Sequence, residues 1–129
     1  IQKRGVIPSA GSIENITLSN ITACGQSGIR MEGFSNRMKN IRLRDVQLFM
    51  EPEDAVDKRS RNGFLFYGID ELSLVDCQVR WNEATWESAY LFREIDDLSL
   101  IRVKGEKAPG SNYEAFRYED CKRISTDKY

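Results

Sequence analysis

The sequence predicts an all-β chain, a right-handed parallel β-helix: a single-stranded solenoid of about five coils spanning residues 1–129. Three observations lead there. One apolar pattern recurs along the chain at a near-constant interval. Within each copy the apolar spacing is two, the period of a strand with one buried face. Where the phase slips by one, Asn or Asp usually stands, and both tolerate the left-handed backbone of a tight bend.

The reference column is Ile16, Ile41, Leu72, Leu98 and Ile124, with steps of 25, 31, 26 and 26 residues. Three residues earlier stand Ile13, Met38, Ile69, Ile95 and Cys121, and two residues later Leu18, Leu43, Leu74, Leu100 and Thr126. Five residues later come Ile21, Val46, Cys77 and Val103. Eighteen of these nineteen places are apolar, where a composition of 40% hydrophobic residues gives roughly eight. Asn20, Asp45, Asp76 and Arg102 occupy the phase slip.

A shorter strand precedes each later copy: GIRMEG, GFLFYGI, AYLFREI and EAFRYED. Phe64, Tyr90 and Phe116 align in it, as do Phe66, Phe92 and Tyr118, with Ile29 and Met31 in the earliest copy. That copy carries about four extra residues, FSNR, at the bend that follows. A helix would need a period of 3.6, and a sandwich would not need one inward pattern at a fixed interval. Each turn of a solenoid buries its apolar row only by stacking on the next, about 4.8 Å away.

Composition narrows the function classes. Nineteen basic and twenty acidic residues give a net charge of −1, which does not suggest a nucleic-acid partner. No apolar run approaches the roughly 20 residues of a membrane span, and no basic-then-apolar leader is present. The chain starts at Ile1, which suggests processing or excision from something longer. With no histidine, His-based triads, His-dependent zinc sites and imidazole bases are excluded. Cys24, Cys77 and Cys121 lie far apart, are odd in number and read as packing residues. No cofactor or metal is expected.

Insertions in a solenoid map to loops, often on the functional side. Residues 50–62, 80–88 and 104–113 all fall between one coil's last strand and the next coil's first. The first holds Glu51, Glu53, Asp54 and Asp57, then Lys58, Arg59 and Arg61, and reads as a solvated, self-neutralising loop. Its spacing matches no defined calcium loop. Trp81 is in phase with Val79 and is assigned to the core, whereas Trp86 is out of phase and is a ligand candidate.

Facing outward, Glu32, Tyr67, Arg93 and Glu119 are expected to form a ladder of stacked, partly opposite charges. Its functional reading is a groove floor for an extended acidic polymer, with Arg30, Arg93 and Arg117 supplying positive charge. The candidate binding set is therefore Arg30, Tyr67, Trp86, Arg93 and Arg117. Asn15 and Asn20 each begin an Asn-Ile-Thr sequon, although Asn20 already has a role at a bend.

The phrase SIENITLSNITA with SGIRMEG and MKNIRLRDVQL resembles the later coils of polygalacturonase-type pectin hydrolases, glycoside hydrolase family 28. NGFLFYGIDELSLVDCQVRW, SAYLFREIDDLSLIRVKG and FRYEDCKRIS extend the likeness over nearly the whole chain. The resemblance implies a pectin-lyase-like fold, a secreted or periplasmic parent, an acidic plant-type polysaccharide as that parent's partner, and inverting hydrolysis by paired aspartates. The family's Asn-Thr-Asp and Gly-His-Gly motifs are missing, and the Asp-Asp pair Asp96–Asp97 stands at a bend rather than within the family's strand motif. In GIRMEG, Arg30 matches a carboxylate-binding strand where Glu32 reverses the charge of the family's lysine.

Two functions follow as expectations. One is the C-terminal part of a pectin-active enzyme, catalytically silent alone and releasing no reducing sugar from polygalacturonate. The other is a non-catalytic carbohydrate-binding or structural adhesion module. A calcium-dependent lyase needs acids and a base on one face, and the outward column is mixed in sign. With no capping helix before Ile13, the bare end is expected to drive self-association, or to mark where missing N-terminal coils belong.

Overall fold

A computed structural model describes residues 13–25, 28–34, 36–51, 62–82 and 87–127. The strands are β1 (Glu14–Gly25), β2 (Ile29–Glu32), β3 (Met38–Met50), β4 (Phe64–Val75), β5 (Gln78–Trp81), β6 (Tyr90–Ile101), β7 (Lys104–Gly105), β8 (Phe116–Glu119) and β9 (Lys122–Thr126). Every pairing among them is parallel.

These strands join into one nine-stranded sheet that curls through 226° into a half-barrel. This corrects the expected right-handed parallel β-helix, a pectin-lyase-like solenoid of about five coils, since the structure is one curled sheet and not a multi-sheet β-helix. The reason lies at the bends. Every non-glycine residue with positive φ among the described residues falls at a corner, and the corners stack in three columns. Asn15, Asn40, Glu71, Asp97 and Arg123 make one, and Asn20, Asp45, Asp76 and Arg102 the second. Gly68, Glu94 and Asp120 make the third. A single left-handed residue turns the chain without ending the ladder. β4 therefore passes through Gly68 and Glu71 as one twelve-residue strand. Faces that would have been distinct sheets merge into a single curved one.

The apolar columns do stack as the repeat requires. Ile16 pairs with Ile41, Ile41 with Leu72, Leu72 with Leu98 and Leu98 with Ile124. Ile41, Leu72 and Leu98 are buried on the concave side, with Met38, Ile69 and Ile95 beside them. Two aromatic files run through the same interior. Phe64, Tyr90 and Phe116 stack at 5.1 and 4.7 Å, and Phe66, Phe92 and Tyr118 at 5.5 Å each. Offset stacks of this kind add about 0.5–1.5 kcal/mol beyond the burial of their area.

Gly68 shows why one corner tolerates no side chain. Its φ is +70°, and a Cβ there would lie 2.3 Å from the Gly33 carbonyl oxygen. The extra residues after β2 supply a brace. Arg37 Nε donates to Asp70 Oδ1 at 2.6 Å, and its Nη2 reaches the carbonyl of Glu94 at 2.7 Å. One guanidinium thus ties three successive layers.

Candidate functional site

Alternation along β2, β4, β6 and β8 sends every second residue to the convex side. There Arg30, Leu65, Leu91 and Arg117 form one in-register column, and Glu32, Tyr67, Arg93 and Glu119 the next. The expected outward ladder therefore exists as a stack. Phe34, 74% exposed, rests against Tyr67 with ring centroids 5.5 Å apart. The Arg93 guanidinium lies 5.7 Å from the centre of the Tyr67 ring.

The charges on this face cancel locally. Arg30 is 2.6 Å from Glu32. Arg93 meets one oxygen of Glu119 at 3.0 Å, and Arg117 meets the other at 3.0 Å. Arg117 also reaches Glu87 at 3.3 Å and covers the Tyr113 ring at 4.4 Å. Each arginine of the expected groove thus faces a carboxylate of its own chain. An acidic polymer would have to displace Glu32, Glu87 and Glu119 to use them. Exposed pairs of this kind contribute about 0–1 kcal/mol each.

Of the sequence-derived set, the structure brings Tyr67, Arg93 and Arg117 together through Glu119, while Arg30 stands apart with Glu32. Trp86 lies outside the described residues, as do Glu53, Asp54, Asp57, Lys58, Arg59 and Arg61 of the first insertion. Sequence reading missed Glu87, Tyr113 and Phe34, which come from connecting segments and carry no period. Trp81 packs against the core as assigned, and its indole N–H donates to the Glu106 carbonyl at 2.8 Å.

Asp97 and the three cysteines are biased toward their less reactive forms. Hydrogen bonding from Arg123 keeps the Asp97 carboxyl below its ordinary range, so it stays ionised and is a poor proton donor. Burial pushes up the Cys77 and Cys121 thiols, and a hydrogen bond to Glu51 pushes up Cys24, so all three disfavour the nucleophilic thiolate. Among the described residues, no group of three or more Cys, Asp or Glu side chains is placed to hold a metal ion.

The two ends of the sheet form a second candidate region. Beyond β8 and β9 there is no further strand among the described residues. The interior columns consequently finish in the open: Tyr118 is 40% and Ile124 41% exposed, whereas Phe92 and Leu98 one layer inward are 0% and 1%. At the opposite end Ile16, Leu18, Ile21 and Ala23 of β1 are only partly buried against the core.

Searches against protein-family models, curated proteins and solved structures return no match. With a half-barrel in place of the solenoid and no family behind it, the likeness to glycoside hydrolase family 28 is not sustained. The carbohydrate-active functions that it implied, hydrolase portion and carbohydrate-binding β-helix module alike, fall with it. In strings such as NITLSNI and NIRLRDV, apolar residues at a spacing of two stack in register and Asn or Asp takes the left-handed corner, a pattern that the curled sheet accounts for without a family.

Proposed function

We propose that this domain is a self-associating structural unit that adds copies of itself end to end, the β8–β9 layer of one copy against the β1 edge of the next. The single observation carrying this reading is the open termination of the interior columns at Tyr118 and Ile124. An exposed strand edge with apolar residues beside it is a template for further parallel pairing. Same-direction stacking would continue each column, Ile124 meeting Ile16 and Thr126 meeting Leu18. It is also complementary in charge. The column Glu14, Lys39, Asp70, Asp96, Lys122 would set Lys122 against the next copy's Glu14.

Such an interface joins two different surfaces and does not close on itself, so it yields an open series of oligomers. Sedimentation equilibrium across a wide concentration range tests this. The expected result is a weight-average mass that climbs steadily with concentration, and an Ile124→Lys variant that stays monomeric with an unchanged circular dichroism spectrum. A monomer at every concentration overturns the reading. So does a dimer that saturates, since that requires a self-complementary interface.

A further inference from the structure

We infer that the convex groove lined by Phe49, Gln78 and Arg80 is a binding site for a ligand that carries a carboxylate beside a flat apolar group. It is built where the C-terminal halves of β1 and β3 meet β5 and β7; the association proposed above matches residues of β9 only with Glu14, Ile16 and Leu18 in the other half of β1, so the two readings are tested separately. Register fixes the lining. Gln47, Gln78 and Lys104 form one outward file, and Phe49 pairs with Arg80 in the next. The groove has a volume of about 620 Å³ and adjoins a second depression of about 430 Å³, with Gln47 and Gln78 common to both. Ligand pockets commonly span about 300–1,000 Å³.

The polar groups here are poised in a way that those of the arginine ladder are not. Arg93 and Arg117 are held by acids of their own chain. By contrast, the side chains of Arg80, Lys104 and Gln78 take part in no hydrogen bond or ion pair among the described residues. Asp76, the acid of the second depression, is already held by Arg102. Glu106, the acid of the first, forms no ion pair with Arg80 among the described residues. Arg80 and the Gln78 carboxamide thus line the groove, and Lys104 the depression beside it, with their hydrogen-bonding capacity unspent.

The ring of Phe49, 40% exposed, supplies an apolar wall next to the guanidinium in register with it. A planar guanidinium grips a carboxylate through two parallel N–H donors, a geometry that a lysine cannot reproduce. An aromatic or similarly flat group attached to that carboxylate would cover Phe49 by stacking. The ligand chemistry follows from that pairing of fork and ring. A bare anion would leave the wall uncovered, and a neutral arene would leave Arg80 unanswered.

The test is titration of the full chain with benzoate, and separately with its neutral isostere benzamide, followed by amide and side-chain NMR shifts. Benzoate should produce saturable shifts at Gln78, the Arg80 side chain and the Trp81 indole, and benzamide should bind at least tenfold more weakly. Arg80→Gln should weaken benzoate binding at least tenfold, and Arg80→Lys should recover only part of it. Because Arg80 is exposed, these variants should leave the fold intact, which circular dichroism checks. No saturable shift, equal binding of the two probes, or an Arg80→Gln variant that binds as the parent does would each overturn the assignment.

Discussion

Arg102 and Asp76 stand at the same corner of successive layers, and the guanidinium donates to both carboxylate oxygens, at 2.6 and 3.0 Å. Arg123 grips Asp97 in the same two-pronged way at a neighbouring corner. In each pair both residues are in the left-handed conformation. The pairs therefore secure residues that the backbone alone would place elsewhere.

Acid should loosen these corners. Hydrogen bonding from Arg102 and Arg123 lowers the Asp76 and Asp97 carboxyls below their ordinary range. A lowered folded pKa means that the contribution is complete above the unfolded value of about 3.9 and disappears as pH falls through the folded one. Thermal melts followed by circular dichroism between neutral pH and about pH 2 should show a falling midpoint below about pH 4. The Asp76→Asn, Asp97→Asn double variant keeps the corner preference but not the charge. It should melt lower at neutral pH and show a flatter acid limb. Parallel acid limbs for parent and variant would count against the corner pairs.

Glu71 is the least suited residue in its corner file. It holds φ +64°, between Asn40 and Asp97, and takes part in no hydrogen bond or ion pair among the described residues. The left-handed conformation costs an ordinary residue roughly 1–2 kcal/mol, and Asn recovers part of that by local hydrogen bonding. Glu71→Asn should stabilise the domain by about 0.5–1 kcal/mol, raising the melting midpoint by about 2–5 °C. A midpoint unchanged or lowered would mean that the carboxylate has a role at this corner.

These corners also mark how far the sequence could be read. Columns such as Ile41–Leu72–Leu98 were legible because stacking in register repeats one residue type at one spacing. The bends at Asn20, Asp45, Asp76 and Arg102 were legible from the slip in phase. Their consequence was not. An Asn or Asp between apolar positions looks like the end of a strand, although a left-handed residue leaves the ladder running, as in β4. Hence the curled single sheet went unseen. Arg37, Glu87 and Tyr113 escaped for another reason: each acts on a distant layer from a connecting segment, where no period announces its target. Arg93 and Arg117 stand in the outward columns that the spacing gives, but their neutralisation by Glu87 and Glu119 depends on side-chain directions that spacing does not encode.

Tyr90 ties the aromatic file to the neighbouring strand. Its hydroxyl donates to the Lys104 carbonyl at 2.8 Å, and burial pushes its pKa far above the ordinary tyrosine range. A raised folded pKa leaves this contribution intact below the unfolded value of about 10 and removes it as pH climbs beyond. Tyr90→Phe should cost about 0.5–1.5 kcal/mol at neutral pH, since the Lys104 carbonyl loses its donor. It should also lessen the loss of stability above about pH 10. Urea unfolding at neutral and alkaline pH checks both. Equal alkaline losses in parent and variant would place the sensitivity at another tyrosine.

Ser88 offers the reverse case, a polar group whose removal should help. It is fully buried, and its backbone is satisfied: the N–H donates to Asn62 Oδ1 at 3.1 Å and the carbonyl accepts from Gly63 N–H at 3.0 Å. Its hydroxyl has no hydrogen-bond partner among the described residues. A buried unsatisfied polar atom costs about 1–3 kcal/mol, so Ser88→Ala, which keeps both backbone bonds, should gain about 1 kcal/mol. Asn62→Ala removes the acceptor instead and strands the Ser88 N–H in the interior, so it should lose about 1–3 kcal/mol. Urea midpoints at constant slope distinguish the two, because only the hydroxyl is surplus. If both substitutions destabilise, the Ser88 hydroxyl has a partner, such as a buried water, and its removal leaves that partner unsatisfied as well.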